Sequence, residues 1–293
     1  MNRARGDYAF STINYVFLAL LGFATVFPFL NLLAISLNDT LDTMRGGIYF
    51  LPRKWTLLNY EIIFRENGLL MAGVRSVIRT LLGTALGLFC TTLLAYALSR
   101  KEFFLRKQLN VVLVLTMYVN GGLIPTYLLI RNLHLMNHFA VYILPLLISV
   151  YNVIIMRSYF EQLPDGITES AKIDGASDFQ VLFRIVLQIS LPVLSTIALF
   201  IAVMHWNSWF DNYLYASRNH NLSLLQYTLQ KVLIQSANEI VSDNGHANVQ
   251  AIRNNPESIR AAITMVVTLP ILFVYPFLQK YFVKGITIGA MKE

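Results

Sequence analysis

Charge is scarce in this chain. Asp, Glu, Lys and Arg make up only 13% of its 293 residues, roughly half their share in soluble domains, and the deficit points to lipid as the solvent. Cysteine is nearly absent: Cys90 stands alone inside an apolar stretch, which excludes a disulfide framework or a cysteine metal site within the chain. The histidines, His134, His138, His205, His220 and His246, are too scattered for a metal site, although the first two are four apart. There is no HExxH pair, no GxSxG elbow and no phosphate loop of the G-x-x-x-x-G-K-[ST] type. The expectation is therefore no catalytic residue, no metal and no cofactor held by this chain, and nothing in it is equipped to hydrolyse ATP. The formal charge is +7, yet no dense basic stripe accompanies it. Its charges mostly flank apolar runs, so anchoring beside anionic lipid explains them better than nucleic acid does.

What the sequence has in quantity is apolar length. Hydrophobic residues account for 56%, and about 20 helical residues cross a bilayer. Six runs reach that scale, at 15–36, 76–98, 109–130, 137–157, 189–210 and 261–279. They predict an all-α polytopic membrane protein, a single transmembrane domain over 1–293. The first run follows Arg3 and Arg5, as a signal peptide would. Its length, its Phe27-Pro28-Phe29 and the lack of a small-residue cleavage site favour a retained span. Six crossings put both termini on one side. The short connection 99–108 carries Arg100, Lys101, Arg106 and Lys107, whereas the turn 131–136 has only Arg131 at its edge. By the positive-inside rule both termini and the polar excursion 159–188 face the cytoplasm. The long segments 37–75 and 211–260 then lie outside.

Segment 159–188 reads as two short helices laid against the membrane base. Leu163-Pro164-Asp165-Gly166 makes a turn in which Asp165 can cap the next helix. Ile167 and Ala171 share a face, Gly175 interrupts, and Phe179, Leu182, Phe183 and Val186 form a second apolar stripe. An amphipathic segment lying in the lipid interface is the plain alternative. The acidic residues Glu161, Asp165, Glu169, Asp174 and Asp178 favour a protein partner over anionic lipid. Within the spans, Asn120-Gly121-Gly122 followed by Pro125 and Tyr127 is suited to a helix break, whether a static kink or part of a translocation path. His205-Trp206-Asn207-Ser208-Trp209-Phe210-Asp211 either marks a membrane boundary or lets Asn207 and His205 line a sugar path. Arg75 and Arg79 are costly against lipid, so they either reach the interface or face a wet cavity.

At Glu169-Ser170-Ala171-Lys172-Ile173-Asp174-Gly175-Ala176 the chain resembles the coupling motif of ABC importer permeases, which runs Glu-Ala-Ala, three residues, then Gly. Phe183-Arg184-Ile185-Val186-Leu187 and Leu191-Pro192 continue the likeness into the carbohydrate-uptake branch, the maltose-type permeases. Ser170 departs mildly from the first alanine, and Gln188 stands where that branch usually has proline. Asn120 to Tyr127, Trp206 to Asp211 and Lys284 to Ala290 resemble the subgroup for complex or acidic oligosaccharides, which includes permeases for pectin-derived sugars and the smaller permease subunits of alginate importers. The resemblance implies a second permease subunit, two ATPase subunits that hold ATP and Mg2+, and an extracytoplasmic sugar-binding protein around this inner-membrane chain. It implies that 159–188 is the cytoplasmic coupling loop, with Glu169, Ala171, Asp174, Gly175 and Ala176 coupling to the ATPase. It also implies that the extracytoplasmic loop 211–260 meets the binding protein through Leu224, Leu225 and Gln226. Arg75, Arg79, Asn120, Tyr127 and Asn207 are the candidates for the oligosaccharide path. By architecture alone, an ion-coupled sugar carrier is the nearest rival.

Overall fold

A computed structural model describes residues 5–66, 68–242 and 256–290. Apart from one isolated antiparallel bridge between Asn38 and Trp55, the regular structure among these residues is helical. Three helices are long and apolar enough to cross a membrane. They are α1 (Arg5–Ser36), α4 (Leu69–Ser99) and α14 (Pro256–Ala290). At 1.5 Å per residue, α1 is about 48 Å long and exceeds a hydrocarbon core of about 30 Å. Between them lie α2 (Thr40–Thr43), α3 (Leu58–Glu66), α5 (Arg106–Tyr118), α6 (Leu123–Asn132), α7 (Val150–Phe160), α8 (Asp165–Ile173), α9 (Asp178–Val181), α10 (Leu187–Ile189), α11 (Leu191–Asn207), α12 (Phe210–Ala216) and α13 (Leu225–Ser242).

The other three apolar runs are bent. α5 and α6 meet at 118°, the turns Phe139–Leu146 meet α7 at 49°, and Asp178–Ile189 meets α11 at 87°. Counting each bent pair as one crossing gives up to six spans. The first bend sits at the expected break. Val119 is extended, and Gly122 takes φ +86°, a left-handed value that glycine adopts freely. The side chain of Asn120 accepts a hydrogen bond from the Gly122 amide at 2.8 Å. In the second, Pro145 supplies no amide, and the chain forms two 3-10 turns before α7 instead of the continuous helix expected from 137.

The described residues divide into two compact units, one drawn from 5–70 and 228–270, the other from 71–227 and 271–290. In the first, Ala34, Ile35, Ile48 and Ala261 form a small apolar cluster. A polar knot stands beyond the end of α1. Asn38 donates to Asp42 and Thr43, Arg53 pairs with Asp42 at 2.9 Å, and Asn59 donates to the carbonyls of Ser36 and Asn38. The buried members, Asn38, Asp42, Thr43 and Asn59, satisfy one another and help to fix an irregular segment.

Among the described residues, the second unit holds two apolar clusters. One gathers Leu98, Val153, Met156, Leu182, Val186 and Ile197 from α4, α7, the π turn Leu182–Val186 and α11. The other gathers Ile130, Val141, Tyr142, Tyr215 and Leu224 around α6 and α12. The first core ties the polar excursion to the spans, because Val181, Leu182 and Val186 are buried in it while Phe179 remains exposed.

Candidate coupling and translocation sites

The excursion folds as two short helices joined at Gly175. Its φ of +81° costs an L side chain strain even though nothing lies within 4 Å of where a Cβ would stand. Asp165 does not cap α8 as expected. It is the first helical residue, after Pro164, and its carboxylate reaches Lys101 Nζ at 3.2 Å. The cap that exists belongs to α9: Ser177 and Gln180 form a reciprocal capping box. The pattern Ser-x-x-Gln was readable at 177–180 in the sequence. On α8, Thr168 and Ala171 face inward, while Glu169 and Ile173 are exposed.

The basic connection 99–108, read above as a topology signal, has a second occupation. Arg106 pairs with Glu161, which also takes Arg157 at 2.9 Å, and Arg157 donates to Asn110 at 2.5 Å. Lys172 bridges Glu102 at 3.3 Å and Asp178 at 3.5 Å. Hydrogen bonding to Glu102, with the charge of Asp178, holds the Lys172 ammonium above its ordinary 10.5. Arg100 donates to Thr168 and lies over the ring of Tyr96 at 4.4 Å. Arg100, Glu102, Arg106, Glu161, Thr168 and Lys172 line, with Glu169, a polar cleft of about 380 Å³. Exposed pairs are individually worth about 0–1 kcal/mol. Joined as a network, they link the α4–α5 connection to α8.

A second polar centre lies in the spans. Arg79 is fully buried, and its guanidinium pairs with Asp211 through both terminal nitrogens while donating to the Ser208 carbonyl at 3.0 Å. The Tyr142 ring lies 5.1 Å from the guanidinium carbon, and the Tyr142 hydroxyl donates to the Leu222 carbonyl. Within this chain the Arg79 charge is met by an internal ion pair. Asp211, Tyr142 and Ser208 were missed as its partners. Two lone charges 132 residues apart carry no local signal of pairing. Beside this centre Gly83 meets His205 so closely that a Cβ would overlap the imidazole.

Arg75 is half-buried and donates weakly to the carbonyls of His220 and Ser223. Asn207 is exposed and accepts from Gln226 at 3.2 Å, so a residue chosen for the sugar path meets one chosen for the binding protein. Tyr127 stacks on Tyr215 at 6.2 Å, and Asn120 bonds within its own turn. Leu224 and Leu225 are buried within this chain, their amides held by Asn212 and Ser76. This corrects the expectation of a direct contact through their side chains and leaves Gln226 as the accessible member of that trio.

Residues 2–288 match the family described as "Binding-protein-dependent transport system inner membrane component". The chain belongs to that family. This permease is 37% identical over 292 residues to Protein LplC of Bacillus subtilis (strain 168), covering 100% of this chain and 98% of that protein. It is 34% identical to the polygalacturonan/rhamnogalacturonan transport system permease protein YtcP of the same organism, covering 97% and 98%. Among solved structures, a chain from a bacterial ABC transporter involved in the import of the acidic polysaccharide alginate superposes with a TM-score of 0.83 at 25% identity, over 96% of the permease and 99% of that chain. The permease is therefore a polytopic inner-membrane subunit of a binding-protein-dependent system, and components of this family serve as membrane subunits beside other transport proteins.

Proposed function

We propose that this permease forms one half of the translocation path of an ATP-driven oligosaccharide importer, with acidic oligosaccharides derived from pectin or alginate as its substrate class. One observation carries the reading. Glu169 is displayed on α8 inside the Glu-x-Ala-x-x-x-Gly pattern, and α8 is tied by ion pairs to the connection between α4 and α5. A helix displayed to a partner and fastened to two spans can transmit a push. In this reading α8 and α9 sit in a groove of a cytoplasmic ATPase subunit, and ATP with Mg2+ binds between the two ATPases. Their closure moves α8 and rocks α4 and α5, so sugar passes by alternating access. Both termini face the cytoplasm, 159–188 is the coupling loop and 211–260 faces the binding protein. Asn120, Tyr127, Asn207 and Arg75 line the path shared with the second permease, while Arg79 braces it from behind. The sugars named for two similar proteins support the substrate class, and membership of the family favours an ATP-driven system over an ion-coupled carrier.

The test pairs binding with transport. The cognate extracytoplasmic protein is titrated with neutral and acidic oligosaccharides, and uptake is then followed in proteoliposomes holding the whole complex. Preferred binding of uronate oligomers, with uptake that needs ATP inside, is the expected result. Preference for neutral oligomers would overturn the substrate class, and uptake without ATP would overturn the mechanism.

A further inference from the structure

The chain that leaves α1 does not go straight into water. Asn31, five residues before the helix end, donates its side-chain amide to the carbonyls of Ile48 at 2.7 Å and Tyr49 at 3.1 Å. The ring of Phe50 packs edge-on against Phe27, 5.2 Å between centroids, and tilted against Phe23 at 6.2 Å. With a rise of about 1.5 Å per residue, Phe27 lies about 13 Å and Phe23 about 20 Å back from Ser36. Segment 46–51 therefore runs back along the span that precedes it. Gly46 and Gly47, at φ +69° and +74°, make the reversal, and the Asp42–Arg53 pair closes its two ends.

Irregular backbone beside a membrane span is costly unless its carbonyls find partners. Asn31 supplies them, and Ile48 is buried against α1 by its place in the apolar cluster. Open apolar surface remains on the segment: Tyr49, Phe50, Leu51 and Trp55 are between 51% and 72% exposed, and the basic residues Arg45 and Lys54 flank them. Tyr and Trp between apolar residues and bases is the composition of a bilayer boundary. A protein interface core is depleted in lysine.

We propose that 46–51 is a lipid-inserted hook, dipping beside α1 into the leaflet at that helix's C-terminal end. Phe50 and Leu51 sit among acyl chains, Tyr49 and Trp55 at the boundary, and Arg45 and Lys54 at anionic headgroups. The proposal rests on α1 spanning the membrane and is independent of what is transported. It anchors the connection between α1 and α4 against the bilayer.

The test uses the full-length chain with its partner subunits in nanodiscs of phosphatidylcholine and phosphatidylglycerol. In a Cys90→Ser background, Phe50→Cys carries an environment-sensitive fluorophore, and Glu61→Cys, at an exposed position of α3, serves as the reference. Lipids with a nitroxide at carbon 5 are expected to quench position 50 several-fold more than position 61, and aqueous iodide is expected to do the reverse. Adding Asn31→Leu is expected to weaken the lipid quenching at position 50 while helix content stays. If Phe50→Cys disrupts assembly, the label moves to Leu51→Cys. Iodide access equal to position 61 would overturn the hook, as would a photo-crosslinker at Leu51 that captures the second permease and no lipid. Unchanged quenching with Asn31→Leu would overturn its anchoring by Asn31.

Discussion

Arg79 shows how a single residue can be costly and useful at once. A guanidinium in a membrane span must be paired, and here Asp211, the Ser208 carbonyl and the Tyr142 ring share it. Arg79→Ala or Asp211→Ala alone leaves a buried charge without its partner and is expected to cost about 3–5 kcal/mol, whereas the double substitution should cost much less than the sum. Thermal unfolding of the purified complex checks the cycle, and additive losses would dissolve the pair. Uptake separates bracing from substrate attraction, since a brace lowers transport of neutral and acidic sugars alike. Gly175 gives a second prediction. Gly175→Leu forces a side chain into φ +81°, while Gly166→Ala, with open space and an ordinary φ, provides a control. Under the coupling proposal, Gly175→Leu abolishes sugar uptake in assembled complexes, Glu169→Ala lowers sugar-stimulated ATP hydrolysis, and Gly166→Ala changes neither. Normal ratios of uptake to hydrolysis in well-assembled Gly175→Leu and Glu169→Ala complexes would refute the joint.

Among the elements, the short ones decide most. α8 and α9 would be marginal alone, since helices this short gain little from their own hydrogen bonds. They persist because Ala171, Val181 and Leu182 reach the core of the second unit and because a capping box starts α9. The polar knot after α1 holds its segment mainly through hydrogen bonds. Hydrogen bonding from Asn38, with Arg53 beside it, holds the Asp42 carboxyl below its ordinary 3.8. A depressed carboxylate contributes stability that is present above its unfolded value and lost as pH falls through the folded one. The knot is therefore expected to hold from neutral pH down to about pH 4 and to loosen below it. Trp55 emission during an acid titration reports this, because Trp55 bridges Asn38. Asp42→Asn should remove that acid step, and persistence of the step in Asp42→Asn would assign it elsewhere.

The whole molecule must first be placed in a membrane with a direction. With Cys90→Ser as background, a cysteine at Lys107 should react only from the cytoplasm. Asp243 and Lys292, the markers for the other long segment and the C-terminus, lie outside the described residues, and the expectation there is labelling from outside at 243 and from inside at 292. Cytoplasmic labelling of 243 would invert the assignment. The number and order of apolar runs were legible in the sequence because hydrophobic length is summed locally and needs no partner. The two short helices of 159–188 were legible for a similar reason, their residues being consecutive. The break at Gly121-Gly122 was also visible, since left-handed backbone is written in the residue itself. The bends of 118°, 49° and 87° were not readable as angles, because their size depends on what each arm packs against. Tertiary structure alone joined Arg79 to Asp211, turned the basic connection toward the acidic one, and buried Leu224 and Leu225. Each of these is a contact between distant residues, fixed by how helices fold back on one another and by the cost of leaving a charge unpaired in a dry interior. The sequence by itself determined a six-run helical membrane chain with a polar two-helix excursion; which polar side chains remained free for a ligand was decided only when the fold had used up the rest.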